Sequence, residues 1–429
     1  MRYNCCLPAD ILLPARDMIE QGRWATVACD QFTSEPHYWQ QADALVGDAP
    51  STLRMMLPEV YLSETAKRLP AIHAAMDEAL AHHLICHESA MIAVERTQLE
   101  GAVRHGLVAM IDLEHYDYKK GATSLIRATE GTVLERIPPR VAVRRDAPLE
   151  MPHVMLLIDD PDATVLEPLF KDNAPHEIAY DTDLMLCGGH IKGHFLTKEE
   201  QSRVLDALEA LVTPEAMAAR YGDANLAPLL FAVGDGNHSL ATAKAAFEEV
   251  KAKIGAEAAA SHPARYALVE IVNLHDKALF FEPIYRVMFG VDPDDVLEHL
   301  RAYLAALNGT AAPQSIHCIA ASSRLGSGWY DRHDVVVEHP VQQLTVGTLQ
   351  TFIDEYLSTH PEASVDYIHG EDSAAVLVRQ PNTIGFLFDG MEKSQLFRSV
   401  IYDGALPRKT FSMGHAQDKR YYMECRKIR

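Results

Sequence analysis

Hydrophobic and polar positions along this chain switch repeatedly between a period of two and a period near 3.6, and the switches predict a mixed α/β protein. An apolar run over 24–29 ends at Asp30 and gives way to the polar stretch 31–35, the pattern of a buried strand feeding a loop. Between Ser63 and Leu84, the residues Leu69, Ile72, Met76, Leu80 and Leu84 recur at helical spacing behind a Ser-Glu-Thr opening, predicting an amphipathic helix. Short apolar or alternating runs at 91–94, 106–113, 128–134 and 153–158 are separated by Gly, Pro and charged residues and predict several strands of one sheet.

Farther along, charged and apolar residues interleave at helical spacing over 197–220, and Pro228 precedes a new apolar run, 229–233. That run ends in Gly234, Asp235 and Gly236, and 237–253 is rich in Ala and charged residues, which predicts a strand, a turn and a helix in succession. A strand at 266–272, a helix at 293–307 and a loop at 308–313 follow. Strands near 315–320, 335–338 and 384–388 then alternate with helices near 344–357 and 392–400. The loop at 308–313 divides the chain, on this reading, into a core over 1–310 that carries a candidate phosphate-binding turn at 234–239, and a smaller carboxy-terminal α/β lobe over 311–429. The expected architecture is a twisted mixed sheet with flanking helices.

Composition narrows the classes of function. With 429 residues, 48% of them hydrophobic and 23% charged, the chain can bury a sizeable core. Sixty acidic against 39 basic side chains give a formal net charge of −21, the wrong sign for a general phosphate-backbone binder, so no nucleic-acid partner is expected. No apolar stretch approaches the ~20 residues that cross a bilayer, and residues 1–9 lack the apolar core of an export signal. Seven cysteines, an odd count spread over a long chain, argue for reduced thiols and a cytoplasmic protein.

Chemistry concentrates in a few segments. In Gly234-Asp235-Gly236-Asn237-His238-Ser239 two glycines permit a sharp turn, and the amides that open the next helix carry partial positive charge suited to a phosphate. There His238 is a candidate phosphate contact or proton carrier, Asp235 a cap or metal partner, and Asn237 or Ser239 an alternative cap; a plain tight start of a helix accounts for the same residues. After the first apolar run, Cys29-Asp30-Gln31-Phe32-Thr33-Ser34-Glu35-Pro36 offers two carboxylates for general-base and hydrogen-bonding work, or else a helix start capped by Thr33 or Ser34. Arg127, Arg136, Arg140, Arg144 and Arg145 crowd one section of an acidic chain; their guanidinium forks suit phosphates, and salt bridges to the acidic surface are the alternative. Cys187, His190 and His194 stand close in sequence, but no second cysteine or acidic pair completes a zinc pattern nearby. Cys29 or the His190 region could serve hydrolytic or lyase chemistry only with an ordered base and orienting group, which the sequence does not supply.

Several of these landmarks, in this order, resemble the bacterial and archaeal family of domain of unknown function 1015. They are Val27-Ala28-Cys29-Asp30-Gln31-Phe32-Thr33-Ser34-Glu35, Arg127-Ala128-Thr129-Glu130-Gly131-Thr132, Asp235-Gly236-Asn237-His238-Ser239, Glu282-Pro283-Ile284-Tyr285-Arg286-Val287 and Leu406-Pro407-Arg408-Lys409-Thr410. The family's signature turn is Asp-Gly-His-His-Arg; here Asn237 replaces its first His and Ser239 its Arg, and Tyr285 stands where relatives often carry His. Some members resemble ATP-dependent kinases of free L-serine, and the turn is similar to the phosphate-binding turn of the ParB and sulfiredoxin-like fold. The resemblance therefore implies a small-molecule kinase using ATP or ADP and Mg2+, with L-serine as the favoured acceptor. It implies Glu35 as base, Asp30 as substrate or Mg2+ partner, and His238 in catalysis. Nucleotide phosphates would lie on Asp235, Gly236, Asn237, His238 and Ser239, with Arg127, Arg136 or Arg286 supplying the charge of the missing turn arginine. The alternative is a regulatory protein that binds a nucleotide or phosphometabolite without turning it over, which the altered turn favours.

Overall fold

The computed structural model describes residues 3–33, 35–131, 137–171, 176–322 and 329–429. Ser34, Thr132 and Arg136 lie outside the described residues. The chain forms two units. The first comprises Met1–Ala128, Thr132–Leu279 and Gly414–Arg429; the second comprises Thr129–Gly131 and Phe280–Met413.

The first unit is built on a ten-stranded mixed sheet. Its order runs Ile178–Asp183, His190–Phe195, Ile92–Thr97, Val103–Asp112, Tyr266–Asn273, Met155–Ile158, Phe231–Asp235, Ile126–Ala128, Tyr116–Asp117, with Cys6–Leu7 pairing against Val103–Asp112. Met155–Ile158, the apolar run Met-Leu-Leu-Ile, is buried throughout. It lies between Tyr266–Asn273, which is parallel to it, and Phe231–Asp235, which is antiparallel, as expected of a strand covered on both faces. The helix Asn237–Ile254 turns Leu240, Ala243 and Phe247 inward against this sheet; burying Leu240 and Phe247 contributes about 1.5–3 kcal/mol each. Residues 197–220, read from periodicity as one helical stretch, form two helices. Lys198–Ala210 opens on a capping box between Thr197 and Glu200, and Pro214–Tyr221 restarts behind Thr213.

The apolar run at 24–29 is not a ladder strand. It is extended and buried, but its pairing is confined to an isolated bridge, Val27 to Arg420, flanked by Ala28 N–H to the Lys419 carbonyl (2.8 Å) and Tyr421 N–H to the Thr26 carbonyl (3.0 Å). Its neighbour is the carboxy-terminal segment, which no local pattern reveals. All seven cysteines are free thiols, and among the described residues no helix is long and apolar enough to cross a membrane.

The second unit holds a six-stranded sheet, ordered Tyr330–Val337, Gln314–Ala321, Thr383–Leu387, Phe281–Phe289, Ser364–His369, with Phe411–Met413 also pairing with Phe281–Phe289. The helices Pro293–Ala306, Thr345–Thr359, Glu371–Leu377 and Lys393–Tyr402 belong to it. The change of unit falls at Leu279–Phe280 rather than near 310. The reason is pairing: Phe281–Phe289 is hydrogen-bonded to Ser364–His369 and Thr383–Leu387, so it cannot be separated from that sheet. The loop at 308–313 only joins a helix to a strand inside this unit, and residues from Gly414 onward return to the first.

Candidate functional site

In the first unit the strand Phe231–Asp235 ends at Asp235, and Gly236 reverses the chain with φ 80°, forming the N-cap of Asn237–Ile254. A side chain at 236 is disfavoured twice over, since positive φ strains L-residues and an added Cβ would stand 3.0–3.1 Å from Val154. The Gly236 N–H donates to Asp235 Oδ1 (2.8 Å), and Asp235 Oδ2 lies 3.4 Å from Lys419 Nζ. The helix has no side-chain cap, so neither Asn237 nor Ser239 serves as one. Instead the Ser239 hydroxyl shares a 2.9 Å hydrogen bond with His153 Nε2. His238, half-buried in the first turn, has its carbonyl taken by the Thr242 hydroxyl (2.7 Å).

His153 sits just before the strand Met155–Ile158, packed edge-on against Tyr421 with ring centres 4.9 Å apart. Burial, aided by Arg140 and Lys419, lowers its pKa below the ordinary 6.5 even though Asp30 and Asp235 pull the other way, so the ring is neutral at pH 7. Asp30 shows the converse. Burial raises its pKa, but the charge His153 gains in acid, a hydrogen bond from Gln31 and the charge of Lys419 outweigh that and hold the carboxyl below its usual range, so it is ionised at pH 7. Two carboxylates, a neutral imidazole and a lysine thus converge at the start of the helix. One or two carboxylates, completed by substrate phosphates, are the usual protein contribution to a Mg2+ site, and Asp30 with Asp235 fits that donor set.

A cavity of about 160 Å3 opens beside this cluster. Met55, Met56, Leu57 and Met76 line its apolar part, while Cys29, Arg140, His153, Ser239 and Tyr421 line its polar part. Engineered apolar cavities of about 150 Å3 hold one benzene-sized ring. Arg140 is ion-paired with Glu59, yet its Nη1 is buried without a hydrogen-bond partner at the cavity wall. The Cys29 thiol, in hydrogen-bond contact with Tyr421, is pushed up to about 11 by burial. It is protonated at neutral pH, which removes the thiolate that nucleophilic chemistry at Cys29 requires.

Other expected residues lie elsewhere. Glu35 is itself the N-cap of the helix Pro36–Val46, with Pro36 at the first position; Thr33 does not cap it, and the exposed Glu35 carboxylate makes no hydrogen bond or ion pair among the described residues. Arg127 is buried and spends its guanidinium on backbone carbonyls of Ser124 (2.8 Å), Ala227 (2.9 Å) and Pro228 (3.1 Å). Arg144 pairs with Glu150 and Arg145 with Glu249, so salt bridging accounts for these two. Arg286 belongs to the second unit. His190 is held between Asp181 (2.8 Å) and Asp183 (2.7 Å), His194 stacks on His176, and no group of three or more metal-ligating side chains occurs among the described residues.

Sequence reasoning named Arg140 among the phosphate candidates but missed its partner Glu59, and it missed His153, Lys419 and Tyr421 as site members. Their signal is weak: Met-Pro-His before an apolar run and a basic-aromatic stretch near the end are common patterns.

No curated protein matches the chain. Solved structures similar to it include a conserved hypothetical protein from Pyrococcus furiosus, with a TM-score of 0.33 and 11% identity over 71% of this chain and 90% of that one. A mutant free serine kinase in complex with AMP gives 0.36 and 11% over 71% and 86%. A mutant free serine kinase in complex with ADP gives 0.36 and 10% over 71% and 87%. The family model described as protein of unknown function (DUF1015) matches residues 11–398, and the chain belongs to that family.

Proposed function

We propose that this protein is a small-molecule kinase that transfers a phosphoryl group from ATP or ADP to the hydroxyl of a metabolite, with free L-serine as the favoured acceptor. The observation that carries this reading is the convergence of Asp30, whose carboxyl is held below its usual range, with neutral His153 and the Asp235–Lys419 pair at a helix start beside a ring-sized apolar cavity. Phosphoryl transfer asks the protein mainly for positioning and charge stabilisation, and this cluster supplies both.

In the proposed arrangement the base of the nucleotide occupies the cavity between Met56 and Leu240, and its phosphates approach the first turn of Asn237–Ile254, where backbone amides and Lys419 bear positive charge. Bound Mg2+ would be held by Asp30 and Asp235 and would neutralise phosphate charge. The acceptor oxygen attacks phosphorus as the bond to the departing nucleotide oxygen breaks, and the hydroxyl proton passes to a carboxylate. Of the two acids on this loop, Asp30, beside His153 and Lys419, is assigned to Mg2+, and Glu35, exposed on the same loop, is assigned as the acceptor of that proton. Ser239 and His153 hold each other and tie the turn to the segment that leads into Met155–Ile158. The L-serine assignment rests on the family resemblance.

Incubating the protein with ATP or ADP, Mg2+ and a panel of hydroxyl metabolites that includes L-serine tests the reading, with phosphorylated products read by mass spectrometry. Phosphoserine that disappears with Asp30→Asn supports it. Nucleotide binding with no product from any acceptor would refute the kinase and favour the non-catalytic binder, to which the hydroxyl of Ser239 in place of a phosphate-clamping arginine already points.

A further inference from the structure

Three stretches distant in sequence meet in the second unit. Leu406 bridges to Glu130 and donates its N–H to the Thr129 carbonyl (2.7 Å), while Pro283 pairs with Phe411. Arg286, with no exposed surface, lies behind the loop between them. It donates to Gln350 Oε1 (3.1 Å), to the carbonyls of Arg408 and Lys409 (3.0 Å each) and to the Ile284 carbonyl. Every nitrogen of Arg286 is therefore spent inside the protein, and what it fixes is the backbone at 408–409.

The consequence lies on the surface. Lys409 is held at φ 54°, a conformation few non-glycine residues adopt, and both side chains of the pair lean over the ring of Tyr367. Arg408 Cζ is 5.4 Å and Lys409 Nζ 5.0 Å from the ring centre, with Arg286 Cζ at 4.9 Å. Arg408 Nε donates to the Tyr367 hydroxyl (2.8 Å), which leaves four N–H donors on its outer nitrogens and three on Lys409. Neither cation has an ion pair among the described residues, although acidic side chains outnumber basic ones by 60 to 39 and most basic groups of the first-unit site are paired. One aromatic ring does not neutralise adjacent exposed cations, whose mutual repulsion favours a bound counter-charge.

We propose that Arg408 and Lys409 form a binding site for a small oxyanion of two or more negative charges, the phosphate of a phosphate ester or inorganic pyrophosphate. Arg408 would present a fork to two phosphate oxygens and Lys409 a point charge to a third, with Tyr367 as their platform and Arg286 as a positioning residue that never touches the ligand. The site belongs to the second unit alone and stands independently of the kinase reading.

Chemical footprinting of Lys409 in the full chain tests it. The protein is acetylated with and without pyrophosphate, phosphoserine or ATP, and the labelling of Lys409 is compared by peptide mass spectrometry with that of Lys253 on the helix of the first unit. Phosphate compounds should slow acetylation of Lys409 by about tenfold at saturation and leave Lys253 unchanged, and acetate should protect neither. Protection by all three probes identifies a general phosphate site; protection by ATP alone identifies a nucleotide as its source. Arg408→Gln should abolish the protection, and Arg332→Gln, another surface arginine of this unit, should preserve it. Labelling of Lys409 that is equally fast with every probe, or protection that survives Arg408→Gln in a protein with the wild-type circular dichroism spectrum, would overturn the proposal. Should Arg408→Gln fail to fold, Lys409→Asn, which removes the cation and tolerates positive φ, carries the test through weakened pyrophosphate binding in calorimetry.

Discussion

Gly236→Ala separates backbone strain from simple side-chain loss at the centre of the site. Two costs add. Alanine at φ 80° is disfavoured by about 1–2 kcal/mol. The new Cβ would also lie 3.0 Å from Val154 Cγ2 and 3.1 Å from Val154 Cα; the methyl can give way, but the Cα cannot move without dragging the strand that follows it. The sum is about 2–3 kcal/mol, a factor of roughly 30 to 150 in the folded-to-unfolded ratio. With a urea slope of about 1–3 kcal/mol per molar, the unfolding midpoint should fall by about 1 M. Tryptophan fluorescence reads the relevant unit, because Trp24 and Trp39 are 1% and 2% exposed in the first unit whereas Trp329 is already 64% exposed. Gly236→Asn should recover only part of the loss, since asparagine eases the positive φ and leaves the Val154 contact in place. An alanine variant with the wild-type midpoint would refute the argument, because it would mean that the turn does not hold this conformation in solution.

The remaining expectations follow the same logic of burial and partners. Arg127→Met should destabilise the first unit by about 2–4 kcal/mol through three orphaned carbonyls while leaving nucleotide KM unchanged; a KM rise at wild-type stability would restore the phosphate role the sequence suggested. Ser239→Ala should cost about 1 kcal/mol in chemical denaturation by leaving His153 Nε2 unpaired. Because the His153 pKa is depressed in the folded state, its contribution to stability is present above pH 6.5 and lost as pH falls below that value; His153→Gln should flatten that part of a stability-against-pH profile. Glu424 behaves oppositely: burial pushes it from 4.5 up to about 7, so the folded state holds a proton that the unfolded state releases, and stability falls as pH rises between those values. Glu424→Gln should therefore match the wild type at pH 4 and exceed it by about 3 kcal/mol at pH 8 in urea titrations.

What the sequence made legible was local. A buried apolar run followed by Asp235 and Gly236 specifies a strand, a turn and a helix within one short window, and that unit appears with Gly236 at the reversal. The helix Thr65–His82 and the strand Tyr266–Asn273 carry their periodicity in themselves and are found where the pattern put them. The failures are those of non-local pairing. Residues 24–29 have the composition of a strand, but their β-bridge is to a carboxy-terminal segment, and the Phe281–Phe289 strand ties itself to Ser364–His369, so a boundary read from a loop at 308–313 fell inside the second unit. The site follows the same rule. In the candidate site, Asp30 and Asp235 were legible because each follows a buried run and precedes a helix or loop, whereas Lys419 and His153 carry no mark that distinguishes them from the chain's other lysines and histidines. Arginines mislead for a physical reason: Arg127 and Arg286 were chosen as phosphate ligands for their charge, yet both are buried and spend their donors on carbonyl oxygens. In a chain with this excess of acid, a fully buried arginine is more informative as a strut than as a ligand, and what it braces is the better guide to function. Arg286 braces the backbone of Arg408 and Lys409, so the strut leads back to two exposed cations of the 406–410 landmark and shows what fixes them, which residue type alone does not.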